Sequence, residues 1–424
     1  MAGDMSKLRI VQFCDNFFPQ IDGVVKVVHN CALRLNQKED CIVVVPKYEK
    51  HPYDDSKFSY PVCRKLTKVM TFNNFEVPFP KTDRELTKKI LDFDGEIYHC
   101  HSPFFMGHYA LKLAKKKNIP VVATFHSQFK EDFLATTNNK VLTNWMIKYI
   151  VDFFEQCDEV WASSRKAAEI LKSYGYEKEV FVMENGTDFV YPEHIDEIKE
   201  KARQDFKIDK AHKNLLYVGQ LRFVKNLKLV LHTMLRLIRK DNSYHLYLVG
   251  EGLNEEEMRT YVRKHHLENN IHFVGKIADI KVLSSIYAIC DLFFFPSTYD
   301  TYSIAVREAC IMETPSLLTI GSSAAEAFTN DVNGFLANGD VCSMEKRILE
   351  IFSDDAHRIE VGKVAAKTIP ITFDTMVDRT LERYRYLIAK RKESEGKKKR
   401  TVRKLPQRRV KKQKQEKKKG LFKI

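Results

Sequence analysis

Short apolar runs alternate with amphipathic stretches along almost the whole chain, a rhythm that is typical of parallel sheets covered by helices. A first set of strands is predicted at residues 8–13, 41–46, 97–101, 121–125, 159–162 and 180–183. A second set is predicted at residues 214–218, 245–249, 271–274, 292–296 and 315–318. Helices are predicted between them, for example at residues 24–35, 105–116, 227–239, 255–265 and 303–312. The pattern therefore predicts an α/β protein built on two sets of parallel strands.

The break between the two sets lies near residues 185–193, where Asn185-Gly186 and Pro192 interrupt the pattern before a charged helix at residues 195–206. We predict a first domain over residues 1–190 and a second over residues 191–372. A closing helix over residues 373–392 and a tail over residues 393–424 follow. Two α/β domains of this kind are expected to face one central cleft.

The positive charge of the chain is concentrated in the tail. The formal net charge is +14, and residues 390–423 hold 18 Lys or Arg against three Glu. A segment with so few apolar residues cannot offset the entropy lost on ordering, so we predict that it is disordered in solution. Its basic residues and its short apolar end, Leu421-Phe422, favour an anionic membrane surface as the partner over nucleic acid. A solubilising tail without a specific partner is the alternative.

Several classes of protein and site are disfavoured by the composition. No stretch approaches the ~18 to 20 uncharged apolar residues that cross a bilayer, and the first strand is followed too soon by polar residues for a signal peptide. We therefore expect a cytoplasmic protein, held peripherally at the inner face of the cell membrane. The nine cysteines are scattered and lack Cys-x-x-Cys spacing, which favours reduced core residues over disulfides or a zinc site. No cofactor and no metal site is predicted.

The first segment with candidate chemistry is a Pro-containing loop that leads to Gly23 directly before a helix. Amides at a helix start can receive a phosphate, and a glycine lets a ligand approach the backbone closely. An ordinary tight turn explains the same residues equally well. The chain has neither Gly-x-Gly-x-x-Gly nor a Gly-Lys-Ser/Thr loop, which argues against a dinucleotide fingerprint and a P-loop.

The second segment covers residues 294–309. A buried strand ends at Pro296, a polar loop carries Asp300, and a helix opens at Thr301 to Ser303 with Glu308 about two turns inside it. The helix-start amides suit a diphosphate, and a carboxylate can accept both hydroxyl hydrogens of a ribose. This arrangement suits a nucleotide sugar. The structural alternative is that Asp300 caps the helix and Glu308 pairs with a surface cation.

These residues carry a family resemblance. Asp300 and Glu308 resemble the Glu-x7-Glu signature of the family 4 retaining glycosyltransferases of the GT-B fold. Further segments follow in the family's order: Leu-Tyr-Val-Gly-Gln-Leu at 216–221 with Lys225-Asn226, Leu-Val-Gly-Glu-Gly at 248–252, Glu326 with Asn-Gly-Phe-Leu at 333–336, and Asn-Gly-Thr-Asp at 185–188. The similarity covers residues 8–390 and leaves out the tail. It implies two Rossmann-like, doubly wound domains, the first binding the acceptor and the second the nucleotide sugar.

The resemblance implies the role of each donor-site residue. Lys225 would hold the donor diphosphate and Glu308 would take the ribose hydroxyls. Asp300, with the amides near Thr301, Tyr302 and Ser303, would face the transferred sugar. The chain departs from the family at Gln220, where Arg is usual, so that one diphosphate cation is missing or is supplied by Arg222. Asp300 itself stands where Glu is commoner.

The first domain contributes two further residues in this scheme. Gly23 would line the pyrophosphate, and His126 would sit beside the reacting sugar. With Lys225 and Asp300, His126 completes the predicted catalytic set. By itself, a histidine in such a place is more often a hydrogen-bonded structural residue than a catalytic one, and His101 and His29 share that ambiguity. The end of a strand is nevertheless where α/β sheets bind ligands.

For the reaction, the resemblance implies retention at the anomeric carbon without a metal. The positive charge of Lys225, Arg222 and the helix-start amides would stabilise the leaving diphosphate. The Asp-x-Asp sequence Asp92-Phe93-Asp94 is the metal motif of a different glycosyltransferase fold, and its place before a glycine favours a surface loop.

The acceptor is predicted from the first domain, where residues 145–150 form part of a helix with an apolar face and flanking lysine. Such a helix can lie in a bilayer interface or simply pack in the core. Together with the basic tail, this helix favours a lipid acceptor. The Phe-Pro-Gln-x-x-Gly-Val opening at residues 18–24 and the Val-Gly-Gln…Lys-Asn segment at residues 218–226 resemble most the diacylglycerol glucosyltransferases. We therefore predict transfer of glucose from UDP-glucose to a membrane lipid such as 1,2-diacylglycerol. The alternatives are a transferase that builds capsular or cell-wall glycan on a lipid carrier, an inactive GT-B scaffold, and a polyanion-binding protein.

Overall fold

Two fully parallel sheets organise the molecule, and they follow each other along the chain. The computed structural model describes residues 6–20, 22–48, 53–72, 75–80 and 83–404. The first sheet has seven strands in the order β3-β2-β1-β6-β7-β8-β9, and the second has six in the order β12-β11-β10-β13-β14-β15. We call the parts of the chain that carry these sheets the first lobe and the second lobe.

Most residues in the strands of the first lobe are buried, as expected of parallel strands covered on both faces. They are β1 (Arg9–Phe13), β2 (Asp40–Pro46), β3 (Val62–Lys65), β6 (Ile97–Cys100), β7 (Val121–Phe125), β8 (Glu159–Ala162) and β9 (Val180–Val182). An antiparallel pair, β4 (Thr67–Phe72) and β5 (Phe75–Pro80), stands apart from the main sheet. The second lobe contains β10 (Lys213–Val218), β11 (Tyr244–Val249), β12 (Ile271–Gly275), β13 (Leu292–Phe295), β14 (Ser316–Thr319) and β15 (Phe335–Ala337).

Helices connect the strands and cover the sheets. Those up to the first lobe's last strand are α1 (Gly23–Lys38), α2 (Arg84–Asp92), α3 (Phe105–Lys117), α4 (Phe129–Thr137), α5 (Lys140–Glu155) and α6 (Arg165–Ser173). The others are α7 (Ile195–Phe206), α8 (Leu227–Lys240), α9 (Glu255–Lys264), α10 (Ile280–Ile289), α11 (Ile304–Ile311), α12 (Val341–Ile351), α13 (Asp355–Thr368) and α14 (Phe373–Lys404). Each lobe buries its own apolar cluster between sheet and helices.

Both sheets reverse their strand order at one place. In the first sheet the reversal lies between β1 and β6, and in the second between β10 and β13. Open α/β sheets bind ligands beside the carboxyl ends of the strands at such a switch point. The loops that follow these strands contain most of the residues singled out by the sequence, so the topology itself gathers the candidate site.

The chain returns to the first lobe after the second sheet. Gly186 fits against the backbone of Phe373 so closely that a Cβ would lie 2.4 Å from its Cα. Arg34 of α1 forms ion pairs with Asp188 at 2.9 Å and with Asp374 at 3.2 Å. The Asn-Gly-Thr-Asp segment therefore marks the place where the outgoing and returning chains meet. By its contacts, the chain up to Asp378 forms one unit and the remainder another.

The predicted fold class is confirmed: two Rossmann-like, doubly wound parallel sheets face a central cleft. Strands β7 and β8 have the predicted bounds, whereas β3, β4, β5 and β15 were not predicted because they are short or partly polar. The closing helix, predicted to end at residue 392, continues to Lys404, since Lys, Arg and Glu all favour helix when nothing opposes it. The rest of the predicted tail, residues 405–424, lies outside the described residues, and the domain boundaries stay predictions.

Two other predictions concern cysteines and membrane spans. All nine cysteines are free, and eight of them are buried while Cys342 is exposed. In the described part of the chain, no helix combines the length and apolar content that a membrane span requires.

Candidate functional site

A lysine and a carboxylate meet at the switch point of the second lobe. Lys225 Nζ lies 2.5 Å from Asp300 Oδ1, and both side chains are largely buried. The other oxygen of Asp300 accepts a hydrogen bond from Ser297 Oγ at 2.6 Å. Asp300 therefore does not cap α11, which was the structural alternative, but holds the lysine that the resemblance assigns to the diphosphate.

The loop that carries Lys225 is fixed to the loop after β13. Lys225 ends a short 3-10 helix, and Asn226 follows it in the left-handed region with φ 60°. The side chain of Asn226 donates to the carbonyl of Pro296 at 2.9 Å, and Thr319 Oγ1 donates to the same carbonyl at 2.9 Å. These bonds tie the carboxyl ends of β10, β13 and β14 together and set the position of Lys225.

Two glycine turns make this arrangement possible. Gly219 and Gly250 end β10 and β11 with φ of 156° and 136°, and a Cβ on Gly250 would lie 2.0 Å from the carbonyl oxygen of Gly219. The Val-Gly-Gln-Leu and Val-Gly-Glu-Gly segments therefore pack back to back through backbone alone. A side chain on Gly250 would separate them and displace the Lys225 loop.

Arg222, and not Gln220, supplies a second cation at the cleft. The Gln220 side chain is exposed, and only its carbonyl is engaged, accepting from Tyr217 Oη at 3.1 Å. Arg222 Nη2 lies 3.2 Å from Asp132 Oδ1, a carboxylate of α4 in the first lobe. Tyr299 donates a short hydrogen bond to the other oxygen of Asp132. Each cation is thus paired with an internal carboxylate.

Glu308 is buried in the second lobe on α11, with only 6% of its surface exposed. Tyr287 Oη donates to its Oε2 at 3.0 Å. Burial raises the pKa of Glu308, and the positive charge of Lys26, on the first turns of α1, partly opposes this. The carboxylate is therefore not the surface ion pair of the structural alternative. It does not contact Asp300, so the structure assigns the two signature carboxylates different partners.

The residues that open α11 join the two lobes. Thr301 Oγ1 donates to the carbonyl of His126 at 2.7 Å, and the carbonyl of Thr301 accepts from Ser164 Oγ at 2.7 Å. Tyr302 is buried with its ring 3.9 Å from the guanidinium carbon of Arg307. Ser303 precedes α11 with φ 60°, and its side chain does not cap the helix.

His126 belongs to a row of three imidazoles at the carboxyl edge of the first sheet. Its Nε2 lies 3.1 Å from Nδ1 of His101, and the His101 ring lies 4.1 Å from that of His99. Burial lowers the pKa of His126 to about 4 and that of His99 to about 3, and it lowers the pKa of His101 well below its usual value. All three rings are therefore neutral near pH 7. His29 lies elsewhere, with Nδ1 2.6 Å from Tyr60 Oη.

Gly23 is the first residue of α1 and is exposed. Its neighbour Asp22 caps the helix by accepting from the amide of Val25 at 2.8 Å, and it also accepts from Asn16. A Cβ on Gly23 would meet no atom within 4 Å. The site therefore offers room beside the backbone, which a close-approaching ligand needs, although a carboxylate already occupies one helix-start amide.

Further contacts across the cleft involve residues that sequence reasoning did not place in the site. Gln128 donates to the carbonyl of Thr298 at 3.0 Å. Glu326 accepts from the amides of Arg165 and Lys166 at 2.9 and 2.8 Å, so a carboxylate of the second lobe sits on the first turn of α6. The pairing of Asp132 with Arg222 belongs to the same set. Of these residues, only Glu326 was named in the sequence analysis, because it belongs to a segment that resembles the family.

The Asp-x-Asp sequence lies at the surface of the first lobe. Asp94 lies in a turn after α2 and pairs with Arg9 at 3.3 Å and Lys117 at 2.8 Å, as a surface loop residue does. Among the described residues, no group of three His, Cys, Asp or Glu side chains is placed to hold a metal ion.

Helix α5 presents an apolar stripe to solvent. Val141 is 80% exposed and Trp145 66%, with Leu142 and Tyr149 also exposed, while Ile147 and Ile150 on the opposite face are buried. Lys140 and Lys148 are exposed on the same helix. The helix thus packs in the core by one face, as the alternative for this segment had it, and leaves an amphipathic face of aromatic, aliphatic and basic side chains uncovered.

Two family models match successive parts of the chain. The model described as Glycosyltransferase Family 4 matches residues 21–190, and the model described as Glycosyl transferases group 1 matches residues 198–368. The alpha-monoglucosyldiacylglycerol synthase of Streptococcus pneumoniae is 22% identical over 318 residues, which cover 73% of this chain and 70% of that protein.

Solved structures show the same fold at low sequence identity. Anabaena HepE in complex with UDP and glucose is similar with a TM-score of 0.69 at 16% identity, covering 88% of this chain and 98% of that one. Sucrose-phosphate synthase from Thermosynechococcus elongatus has a TM-score of 0.72 at 16% identity, covering 90% and 99%. The two-sheet fold is thus common to this chain and those proteins.

Proposed function

The chain belongs to the family 4 glycosyltransferases of the GT-B fold, and from that premise we propose that it transfers glucose from UDP-glucose to a membrane lipid such as 1,2-diacylglycerol. The observation that carries this proposal is the charge arrangement at the cleft. Lys225 and Arg222 lie at the carboxyl edge of the second sheet, where their only described carboxylate partners are Asp300 and Asp132. A donor diphosphate would compete with these carboxylates for the two cations.

The proposed donor site assigns each residue a task. Lys225 and Arg222 bind the diphosphate, with Gln220 at the edge of the site, and the open first turn of α11 after Ser303 adds amide donors. Glu308 accepts the ribose hydroxyls, and Asp300 with Thr301 and Tyr302 borders the transferred sugar. Gly23 leaves room for the pyrophosphate on the side of the first lobe.

The proposed reaction proceeds with retention and needs no metal. The bond between the anomeric carbon and the phosphate oxygen breaks as the acceptor hydroxyl attacks from the same face, and the hydroxyl proton passes to the leaving diphosphate. Lys225 and Arg222 stabilise the charge that grows on that diphosphate. His126, neutral near pH 7, hydrogen-bonds the reacting sugar and thereby fixes its position.

The lipid acceptor is supported by the exposed face of α5. Trp145, Val141 and Tyr149 with Lys148 form an aromatic and basic surface of the kind that lies in a membrane interface. The name of the Streptococcus pneumoniae relative points to the same class of acceptor. In this proposal the protein sits peripherally on the cytoplasmic face of the membrane, and its basic tail adds attraction to anionic lipids.

The experiment that tests this function is an assay of the full chain with a panel of sugar nucleotides and vesicles that contain diacylglycerol. We expect release of UDP from UDP-glucose and a glucosyl lipid, identified by mass spectrometry with the anomeric configuration determined by NMR. If the product formed on a lipid-linked saccharide instead, that saccharide would replace diacylglycerol as the proposed acceptor. If nucleoside diphosphate were released from another sugar nucleotide, that nucleotide would replace UDP-glucose as the proposed donor. Absence of release with every donor would favour the scaffold alternative.

Glu308→Ala is the matched variant for this assay. Loss of the ribose contact should lower kcat/KM by about 100-fold or more, since one charge-assisted hydrogen-bond pair is removed. Tyr287→Phe is the control because it removes only the partner of Glu308 and keeps the carboxylate. Full activity in Glu308→Ala, with the fold intact by circular dichroism, would remove the donor site proposed here.

A further inference from the structure

The imidazoles of His101 and His126 form an edge-to-edge hydrogen bond at the first lobe's switch point. His101 directly follows β6 and His126 directly follows β7, which pair side by side. Nδ1 of His101 lies 3.1 Å from Nε2 of His126, and the rings are within 20° of parallel with centroids 5.4 Å apart. A centroid separation so much longer than the N–N distance places the two nitrogens between the rings. The contact is therefore a hydrogen bond and not face-to-face stacking.

A hydrogen bond between two neutral imidazoles requires one donor and one acceptor. Burial lowers the pKa of both rings below the neutral range, so neither is an imidazolium near pH 7. Two arrangements remain. Either His101 carries its proton on Nδ1 and donates to His126, or His126 carries its proton on Nε2 and donates to His101.

The other nitrogen of His101 decides between them. His101 is 3% exposed, and its Nε2 is buried without a hydrogen-bond partner among the described residues. If that nitrogen carried the proton, a buried N–H would be unsatisfied, which native structures almost never tolerate. A bare lone pair at the same position costs less, because an acceptor without a partner is the more commonly tolerated of the two. The proton of His101 therefore belongs on Nδ1.

We propose that His101 is a positioning residue that donates from Nδ1 to His126 and so fixes His126 as its Nδ1–H tautomer. In that state Nδ1 of His126 is a hydrogen-bond donor. The backbone carbonyl of His126 is bound by Thr301 of the second lobe, so the residue borders the loop of Asp300. The catalytic consequence rests on the proposed function: His126 donates a hydrogen bond to an oxygen of the donor sugar or the acceptor, and cannot remove a proton through Nδ1.

The neighbouring His99 completes the support. Its ring lies 4.1 Å from that of His101, and its Nε2 bonds to Thr124 Oγ1 at 2.7 Å on β7. Trp161 packs edge-on against the ring of His99. His101 is thus held between a fixed ring and His126, which leaves it little freedom to rotate its Nδ1 away.

The test measures the tautomer directly and does not depend on activity. The full chain is labelled with 15N-histidine, and the long-range 15N–1H pattern of each ring is recorded at pH 7, with the signals of His126 assigned by their loss in His126→Gln. We expect His126 to show a protonated Nδ1 and an unprotonated Nε2. A protonated Nε2 on His126 in the unaltered chain would overturn the inference, whatever the activity.

Two variants that have the same shape as each other then test the direction of the hydrogen bond between His101 and His126. In His101→Asn, the side-chain amide can donate from nearly the position of Nδ1, so the Nδ1–H tautomer of His126 should persist and kcat/KM should stay within about threefold of the parent. In His101→Asp the carboxylate only accepts, so His126 should change to its Nε2–H tautomer. Transfer should then fall by about tenfold or more, as expected for a wrong imidazole tautomer. Identical tautomers in the two folded variants would contradict the proposal.

The outcomes also separate this inference from the proposed function. If the tautomers follow the expected pattern while nucleotide-sugar turnover is unchanged in His101→Asp, His101 positions His126 as inferred, and the role of His126 in transfer is wrong. Should His101→Asp fail to fold, the measurements on the unaltered chain and on His101→Asn still decide the inference.

Discussion

The two switch points of this molecule have the same topology and opposite electrostatics. At the first, His99 and His101 are buried and His126 is partly buried, and the three neutral rings bond to one another or to a hydroxyl. At the second, Lys225 and Arg222 are charged and each is paired with a carboxylate. The strand order thus determines where a ligand binds, whereas the residues just beyond the strands determine which chemical groups each side can hold.

The difference suits the two ends of a sugar phosphate. The carboxyl edge of the first sheet, which carries His99, His101 and His126, is the neutral edge. It can bind hydroxyl groups without the cost of burying a charge, and it neither attracts nor repels the phosphate. A cationic edge binds a diphosphate, and its internal carboxylates keep the cations paired until the ligand arrives. The following predictions test this division of labour, beginning with the largest expected effect.

Removal of the cation at the second switch point should have the largest effect. Lys225→Ala removes the charge that faces the diphosphate and leaves Asp300 without its ion-pair partner, so kcat/KM should fall by about 100- to 1,000-fold, measured as UDP release. Lys228→Ala is the control because that lysine is exposed three residues further on and packs over the ring of Phe223. A Lys225→Ala enzyme within threefold of the parent would mean that the cationic edge does not bind the donor.

The neutral edge should make the protein sensitive to acid. Burial keeps the pKa of His126 at about 4 in the folded chain, against about 6.5 in an unfolded one. The unfolded chain therefore binds protons first, so this contribution to stability is fully present above pH 6.5 and is lost as the pH falls towards 4. For His126 it amounts to at most about 3 kcal/mol.

Urea unfolding between pH 7 and pH 4 measures this loss. The decline in stability should be shallower in His126→Gln, which has no imidazole to protonate, and unchanged in His266→Gln, whose side chain is exposed. His245 in the second lobe, whose pKa burial also lowers to about 4, should contribute a background loss common to all three proteins. Equal slopes in the parent and His126→Gln would contradict a lowered pKa of this ring.

A substitution at Gly23 tests whether this glycine is needed for ligand binding or for folding. Its Cβ position is open, so Gly23→Ala should leave stability unchanged or slightly raised, and it should weaken UDP binding by about tenfold if the pyrophosphate approaches the backbone. Calorimetric titration with UDP and thermal unfolding measure the two effects. Gly107→Ala is the contrasting variant, because a Cβ there would lie 2.4 Å from the carbonyl oxygen of Ser102 and should destabilise the protein. Unchanged UDP affinity in Gly23→Ala would place the ligand elsewhere.

The sequence predicted the fold more completely than the site, and particular residues show why. Strand β7 is a mainly apolar run between Pro120 and His126, so its bounds follow from local pattern alone. Strand β15 has only three residues and belongs to the sheet because β14 pairs with it. At residues 393–404 two sequence properties disagree. The high charge predicts disorder, whereas the same residues have high helix propensity and extend the helix to Lys404.

For the candidate site, the sequence predicted individual residues but not the contacts between them. Lys225 and Asp300 were both singled out, but their contact joins loops 75 positions apart, and it follows from the neighbouring places of β10 and β13 in the sheet. Asp132 gave no signal because it is an ordinary carboxylate in the first turn of α4 until the second lobe brings Arg222 to it. A single sequence does not show which residues of distant segments lie next to each other in the fold.

The smallest expected effect concerns this contact between the two edges. Asp132→Asn removes the negative charge that Arg222 faces, and since the pair is partly exposed it contributes about 0–1 kcal/mol. A donor diphosphate would then meet less competition for Arg222, so UDP should bind about two- to fivefold more tightly in calorimetric titration, with the gain reduced at high salt. Tyr299→Phe is the control, since it removes the hydroxyl that shares Asp132 and keeps the ion pair. Weaker UDP binding in Asp132→Asn would show instead that the first lobe holds Arg222 in the position that binds the donor, and the two edges would then act as one site.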